Sequence, residues 1–334
     1  MDKGKKKHSL LWGMLLFVVL TVLIFSVVHK MDPQIWQVLT EVSLGWIALL
    51  LGLSMVYQLM EGLIYRRILG KSLPGFRLQN GLDVSYIGVF SFVAMVVGGK
   101  IPMQSLYLHK KGMAVSHAVG LLSVAYLFHK VTVLLWATVY LLADWGWIAK
   151  TLPGLASYLP LAYGACIAVI VGLLLICTWG RVKQGALWLI AKLPDTGKWP
   201  ERKQHWSEHI TLLYENTQSL MKDRTGLWKI FLLEVAKLAA LYAAPGLCAW
   251  ILGLGAENAW HILGLSGLMF LFSNVLPNVA GMGSVEVSFF LVFSQLFGES
   301  TLSVLLLYRI GTYYLPFFFF FLWMVAICRG LRQK

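Results

Sequence analysis

The stretch 82–111, LDVSYIGVFSFVAMVVGGKIPMQSLYLHKK, decides how this chain is organised. It begins as an apolar run, breaks at Gly98-Gly99-Lys100-Ile101-Pro102, and resumes only as far as Lys110-Lys111. A helix needs roughly 20 apolar residues to cross about 30 Å of hydrocarbon, and neither half reaches that comfortably. Arg66, Arg67, Lys71 and Arg77 precede the stretch, and Lys110 and Lys111 close it. Basic loops are retained in the cytoplasm. Both ends of 82–111 therefore belong on the same side, and the pattern predicts a broken hairpin that dips into the bilayer and returns.

Working outward, full-length apolar runs cover Leu10–Val28, about Gly45–Tyr65, Val115–Ala143, Leu155–Thr178, Leu227–Leu254 and Leu302–Ile327. Leu10–Val28 follows four lysines, but no small-residue cleavage site follows it, so it reads as an uncleaved first helix. His261–Phe297 is apolar and breaks at Pro277 to Gly283. The connections near Asp32 and Glu41, near Asp144 and near Glu257 are neutral or acidic, whereas both termini and 181–225 are basic. That alternation predicts cytoplasmic termini and sends 261–298 in from the outside, with two full spans as the alternative there. The expected fold is an all-α polytopic membrane protein, one transmembrane domain over 1–334, with about six full spans and two broken re-entrant hairpins. Their opposite orientation is that of an inverted repeat, in which transporters bind substrate at interrupted helices near the midplane.

Composition agrees with lipid as the solvent. Of 334 residues, 58% are hydrophobic and only 13% charged, with a mean hydropathy of +0.72. The net charge of +13 is expected to face anionic lipid headgroups rather than nucleic acid. Cys166, Cys177, Cys248 and Cys328 all lie in apolar runs without CxxC spacing, as small apolar filler. Within 181–225, Trp206, Ile210, Leu213, Leu220 and Met221 recur at helical spacing, which predicts an amphipathic helix on the membrane surface or packed under the bundle. His205 and His209 have metal-compatible spacing but no accompanying ligands, so no metal site is expected, and no cofactor. There is no Walker loop, dinucleotide fingerprint, GxSxG or HExxH motif, which argues against an ATP-driven pump or a familiar hydrolase.

The informative residues are ionisable groups inside apolar runs: Glu61, Lys100, His129, Lys130, Glu234, Lys237, Glu286 and Arg309. Each costs roughly 2.5–3.5 kcal/mol at the bilayer centre and needs a partner or a wet cavity. Lys130 lies too deep to reach an interface easily. Glu234 and Lys237, three apart on one helix, can pair with each other. Glu61 is close to Arg66 and reads as interfacial. Arg309 either clamps an anion or bonds Glu286 and the carbonyls freed at the glycine break. Beyond that break a half-helix starts, with Ser284 as the expected N-cap and Glu286 in its first turn, and such an N-terminus attracts anions.

At the two breaks the chain resembles a known family. The residues that carry the likeness are Gly98 to Gln104 with Tyr107 to Gly112, then Pro277 with Gly281-Met282-Gly283-Ser284-Val285-Glu286, then Tyr308-Arg309 with Tyr313 to Pro316. They are similar to the transmembrane region of lysylphosphatidylglycerol synthases, the flippase half of multiple peptide resistance factors, and its stand-alone relatives. Val279 and Ala280 depart from the family's P-x-P-G-G-x-G-x-x-E pattern, and Ser91 and Ala94 stand where an Asn and a Pro are usual. The resemblance implies a multi-pass protein of the bacterial cell membrane that moves a phospholipid between leaflets. Lys130 and Arg309 would then hold phosphate, and Glu286 and Gln104 would bond polar headgroup atoms. Gly98, Gly99, Gly281 and Gly283 would open the backbone at the hairpin tips, with Glu234 and Lys237 nearby. In that family lysyl transfer belongs to a separate soluble domain, and the sequence ends at Lys334 just after its last apolar run, so transfer is not expected. An intramembrane lipid-modifying enzyme using Glu286 and His129, or a membrane partner of a separate aminoacyltransferase, are the rival readings.

Overall fold

A computed structural model of the chain describes residues 39–94, 100–195, 199–255, 259–276 and 282–320, with isolated positions at 19, 21, 22, 26 and 323. The first expected span, Leu10–Val28, therefore lies outside the described residues except at those positions. So do the glycines Gly98, Gly99 and Gly281. The described chain is helical: α1 (Leu44–Leu69), α2 (Leu78–Ala94), α3 (Ile101–Lys110), α4 (Val115–Thr151), α5 (Pro153–Thr178), α6 (Gly180–Ala191), α7 (Trp199–Met221), α8 (Arg224–Ile251), α9 (Ala259–Ser273), α10 (Ser284–Phe297) and α11 (Thr301–Arg309). A π-helical turn, Ile310–Tyr314, carries α11 on through residue 320.

Among the described residues five stretches are long and apolar enough to cross a membrane: Leu44–Leu69, Val115–Thr151, Pro153–Gly172, Arg224–Ile251 and Ser284–Phe320. The last is not one rod. Glu286 and Arg309 would stand about 35 Å apart on a continuous helix, yet their side chains touch at 2.5 Å. The chain reverses at Gly298, whose φ of 53° suits a residue without a Cβ. Thr301 to residue 320 then forms the crossing part. At 37 residues α4 is also too long for the bilayer, and its helical geometry breaks at Asp144.

The element order long, short, short, long occurs twice. In the first half α1 is followed by α2 and α3, then by α4. In the second, α8 is followed by α9 and α10, then by α11. The short helices hold 17, 10, 15 and 14 residues, or about 26, 15, 22 and 21 Å. α1 and α8 pack antiparallel along their length. Trp46 meets Trp250 at one end, with ring centroids 4.9 Å apart, and Lys71 pairs with Asp223 at 2.7 Å at the other. One end of the bundle is thus tryptophan-rich, and Trp147 stacks on His261 there at 3.8 Å. The other end carries Arg66, Arg67, Lys71 and Arg224. The α2–α3 hairpin opens at the basic end and the α9–α10 hairpin at the tryptophan end.

Two large apolar cores stand out among the described residues, beside a smaller cluster at Val133, Leu238 and Tyr242. One joins α1, α2, α3 and the start of α4 through Ile64, Ile68, Val84, Leu108 and Leu121. The other joins α4, α5 and α8 to α11 through Tyr140, Leu265, Met269, Phe289 and Phe293. Because lipid tails are as apolar as leucine, helices in a bilayer associate through close packing and polar contacts. The α1–α2 crossing uses small residues: a Cβ on Gly81 would lie 2.2 Å from the Gly62 carbonyl oxygen. The amphipathic segment becomes α6 and α7. α7 packs against α4 and α5, with Asn216 over Gly120, so of the two placements open to it the one beneath the bundle is seen. α6 leaves Trp188 and Leu189 exposed.

Gly81→Ala is expected to cost about 1–3 kcal/mol, since the obstructing atoms, led by the Gly62 carbonyl oxygen, are backbone and cannot rotate away. Thermal unfolding of the purified variant in detergent checks this; an unchanged melting temperature would show that the crossing tolerates a methyl group.

Candidate functional site

The two apolar cores meet on α1 and α8, and the charges sit at that junction. On α1, Glu61 falls between Leu50 of one core and Ile64 of the other; on α8, Glu234 and Lys237 fall between Ile230 and Ala244. Glu61, at 7% exposure, accepts from Lys100 Nζ at 3.0 Å and from Tyr65 Oη at 2.9 Å. Its second oxygen lies 3.6 Å from Lys237 Nζ. Lys237 also pairs with Glu234 at 2.8 Å, and His129 Nδ1 lies 3.3 Å from Glu234. Gln104 donates to Val84 O at 2.8 Å and to Tyr65 at 3.2 Å. Two carboxylates and two ammonium groups from α1, α8 and the N-cap of α3 thus balance, and the imidazole of α4 completes the set. Glu61 is thus buried among these partners, while Arg66, on the next turn, is exposed.

One turn of α4, Tyr126 to Lys130, faces the start of α3 and the end of α9. Lys100 N-caps α3, and its ammonium is within electrostatic range of Tyr126 and Lys130. Asn274, just past the end of α9, accepts a short hydrogen bond from Lys130. Lys130 also lies over the Tyr126 ring, 4.9 Å from its centroid. These groups border a cavity of about 260 Å³ whose lining includes Tyr126, Lys130, Val133, Cys166, Leu271 and Asn274. The lining is mostly apolar, and among its polar members Lys130 contacts both Tyr126 and Asn274. Among the described residues Lys130 has no carboxylate within salt-bridge distance. The other membrane cations Lys100, Lys237 and Arg309 all do.

Arg309 and Glu286 bond each other. Glu286 accepts from Arg309 Nε at 2.7 Å and from the Gly283 backbone N–H at 2.7 Å. The Arg309 guanidinium also lies 4.3 Å from the Tyr313 ring centroid. Of the roles open to Arg309, the structure displays the bond to Glu286. The N-cap of α10 is Gly283, with φ 98°, and not Ser284. A positive φ at that position favours glycine, and Glu286, three residues on, reaches back to accept from the Gly283 backbone N–H, the half of a capping box that the N3 side chain supplies. Ser284 is instead the first helical residue, accepting from Ser273 at 3.1 Å. Immediately beyond Arg309, Ser54 of α1 donates to Gly311 O at 2.9 Å, inside the π-helical turn.

The structure therefore brings Lys130 to the cavity and joins Glu234 and Lys237 to Glu61 and Lys100. Gln104 is fully buried on the first hairpin, and Glu286, Gly283 and Arg309 close the second. Tyr65 and Asn274 are the residues the sequence reading missed. Tyr65 stands one turn from Glu61, a spacing that could have flagged it. Asn274 is a lone polar residue at the rim of the second break. His205 and His209 lie 3.2 Å apart through their Nε2 atoms, and among the described residues no third ligand joins them.

Interrupted helices around buried charge, inside a bundle with several crossing stretches, define a multi-pass α-helical membrane protein. The family model of the lysylphosphatidylglycerol synthase TM region matches residues 10–319, so the chain belongs to that family. The comparison with curated proteins finds no match.

Removing one member of a buried ionic set strands its partner. Lys237→Met should cost about 3–5 kcal/mol, and the double variant Glu234→Gln/Lys237→Met should recover a good part of it. Detergent thermal unfolding of the three proteins measures the coupling; equal losses in the single and double variants would show that the set does not act as a unit.

Proposed function

We propose that this protein moves a phospholipid between leaflets, with the lipid phosphate held at Lys130, between the start of α3 and the end of α9. The observation that carries the reading is the half-buried lysine beside a cavity, with an amide and an aromatic ring as partners but no counter-ion among the described residues. A cation in that setting gains most from an anion, and a phosphate oxygen is a strong acceptor. The cavity holds about 260 Å³, below the usual range for drug-sized ligands. A headgroup fits it while the acyl chains stay in lipid.

The helix lengths support the same reading. None of α2, α3, α9 and α10 reaches about 30 Å. With the basic end in the cytoplasm, the first hairpin enters from the inside and the second from the outside, as in an inverted repeat around a midplane site. Glu286 and Glu61 are already neutralised, so the arrangement favours the phosphate common to phospholipids over a cationic headgroup. Arg309, Glu286 and Gln104 then serve the site by fixing the tips.

Reconstitution into liposomes containing a fluorescent phospholipid, with a membrane-impermeant quencher, measures transfer between leaflets. Lys130→Gln should slow transfer by about tenfold or more, the scale of one charge-assisted contact, while Lys130→Arg keeps most of it. Undiminished transfer in Lys130→Gln would remove Lys130 from the mechanism. A new lipid species in the mass spectrum of the same liposomes would favour an intramembrane enzyme instead.

A further inference from the structure

A second lipid-shaped site lies away from the Lys130 cavity. Near the basic end of the α1–α8 seam a depression of about 530 Å³ is lined by Leu63, Arg66, Arg67, Lys229, Leu232 and Leu233. Its composition is graded. Three cations form the rim: Arg66 and Arg67 in the last turns of α1 and Lys229 in the second turn of α8. Three leucines form the deeper wall, and Leu232 is 60% exposed to the surroundings. Trp228, 65% exposed beside Lys229, is where an interfacial tryptophan belongs, which sets the rim at headgroup depth.

No carboxylate lines the depression. Asp223 lies within electrostatic range of Arg67. It is already held by Lys71 at 2.7 Å and by the Gly226 backbone N–H at 2.8 Å. These bonds, the Lys71 hydrogen bond first, keep its carboxyl below the usual range, so it stays an anion committed elsewhere. Among the described residues none of the three rim cations has a carboxylate within salt-bridge distance. Uncompensated arginines bind phosphate in bidentate fashion, and basic pockets between membrane helices hold anionic headgroups. The aliphatic wall one turn deeper matches the start of acyl chains.

We propose that this seam binds one anionic phospholipid of the basic-side leaflet as a resident ligand, its phosphate between Arg66, Arg67 and Lys229 and its chains along Leu63, Leu232 and Leu233. The wall of the site adjoins Glu234, which follows Leu233 directly. A lipid here would therefore clamp α1 to α8 beside the buried charge set. The proposal does not depend on leaflet transfer or on Lys130.

The test compares wild type, Arg66→Gln/Arg67→Gln/Lys229→Gln and Lys130→Gln, each purified in mild detergent. Melting temperature is followed as dioleoylphosphatidylglycerol, dioleoylphosphatidylcholine or glycerol 1-phosphate is added, with lipid retention read by native mass spectrometry. Phosphatidylglycerol should raise the melting temperature of wild type and Lys130→Gln alike and remain bound. The triple variant should bind it roughly a hundredfold more weakly, the summed effect of three surface cations. Equal stabilisation by phosphatidylcholine would overturn the charge-based assignment, and equal stabilisation by glycerol 1-phosphate would overturn the lipid in favour of a small-anion site. Retention unchanged in the triple variant would place the lipid elsewhere. Should the triple variant not fold, Leu232→Trp, which fills the depression without touching the charges, must lower retention, and retention left intact would sink the proposal.

Discussion

The buried ionic set formed by Glu61, Lys100, Lys237, Glu234 and His129 is the constraint on which the rest of the structure depends. Each charge alone would cost a few kcal/mol in hydrocarbon, and lipid offers no water to relieve it. The charges must find each other, and they come from four different elements. Satisfying Glu61 requires the N-cap of α3 on one side and the middle of α8 on the other. That requirement fixes how far the first hairpin enters the bundle. It also fixes how α8 slides along α1, independently of the end contacts Trp46–Trp250 and Lys71–Asp223. Apolar packing alone would leave this register soft, since lipid competes equally for leucine faces.

The second hairpin is held by a different wiring of similar parts. Its cation, Arg309, sits on the helix that follows the hairpin, and its carboxylate, Glu286, lies in the first turn of α10. Glu286 does two jobs: it receives the Gly283 N–H that starts the half-helix, where negative charge is favoured, and it neutralises Arg309. The π-helical turn after Arg309 adds a residue to the helix there, and Ser54 of α1 takes up the Gly311 carbonyl. Such turns are frequent at functional sites. Here the turn also lets α11 approach α1 closely, with Gly311 against Leu50.

Much of this frame is legible in the sequence because it rests on local rules. Half-length apolar runs interrupted at 98–102 and 277–283 announce short helices, and basic flanks announce which ends share a side. The three-residue spacing of Glu234 and Lys237 announces a pair. What was not legible depends on contacts between distant segments. Nothing near Glu61 in the sequence points to Lys100 or Lys237, and the adjacent Arg66 suggested an interface instead. The bond between Glu286 and Arg309 was one of the roles the sequence left open, and the reversal of the chain at Gly298 is what brings the two together. Asn274 carries no motif at all; its part follows from ending α9 opposite Lys130.

The difference between the two hairpins bears directly on the site. Lys100, Lys237 and Arg309 pair with Glu61, Glu234 and Glu286, whereas among the described residues no carboxylate lies within salt-bridge distance of Lys130. An amide and a tyrosine ring solvate that ammonium without cancelling its charge. A fixed carboxylate would make the position rigid and self-sufficient, whereas an amide partner can yield to an anion that arrives and leaves. On the proposed transport reading the second property is the useful one, because a site must bind well enough to admit its ligand and weakly enough to release it. What the structure itself displays is an ammonium solvated by the Asn274 amide and the Tyr126 ring, with its charge left uncancelled by any carboxylate among the described residues.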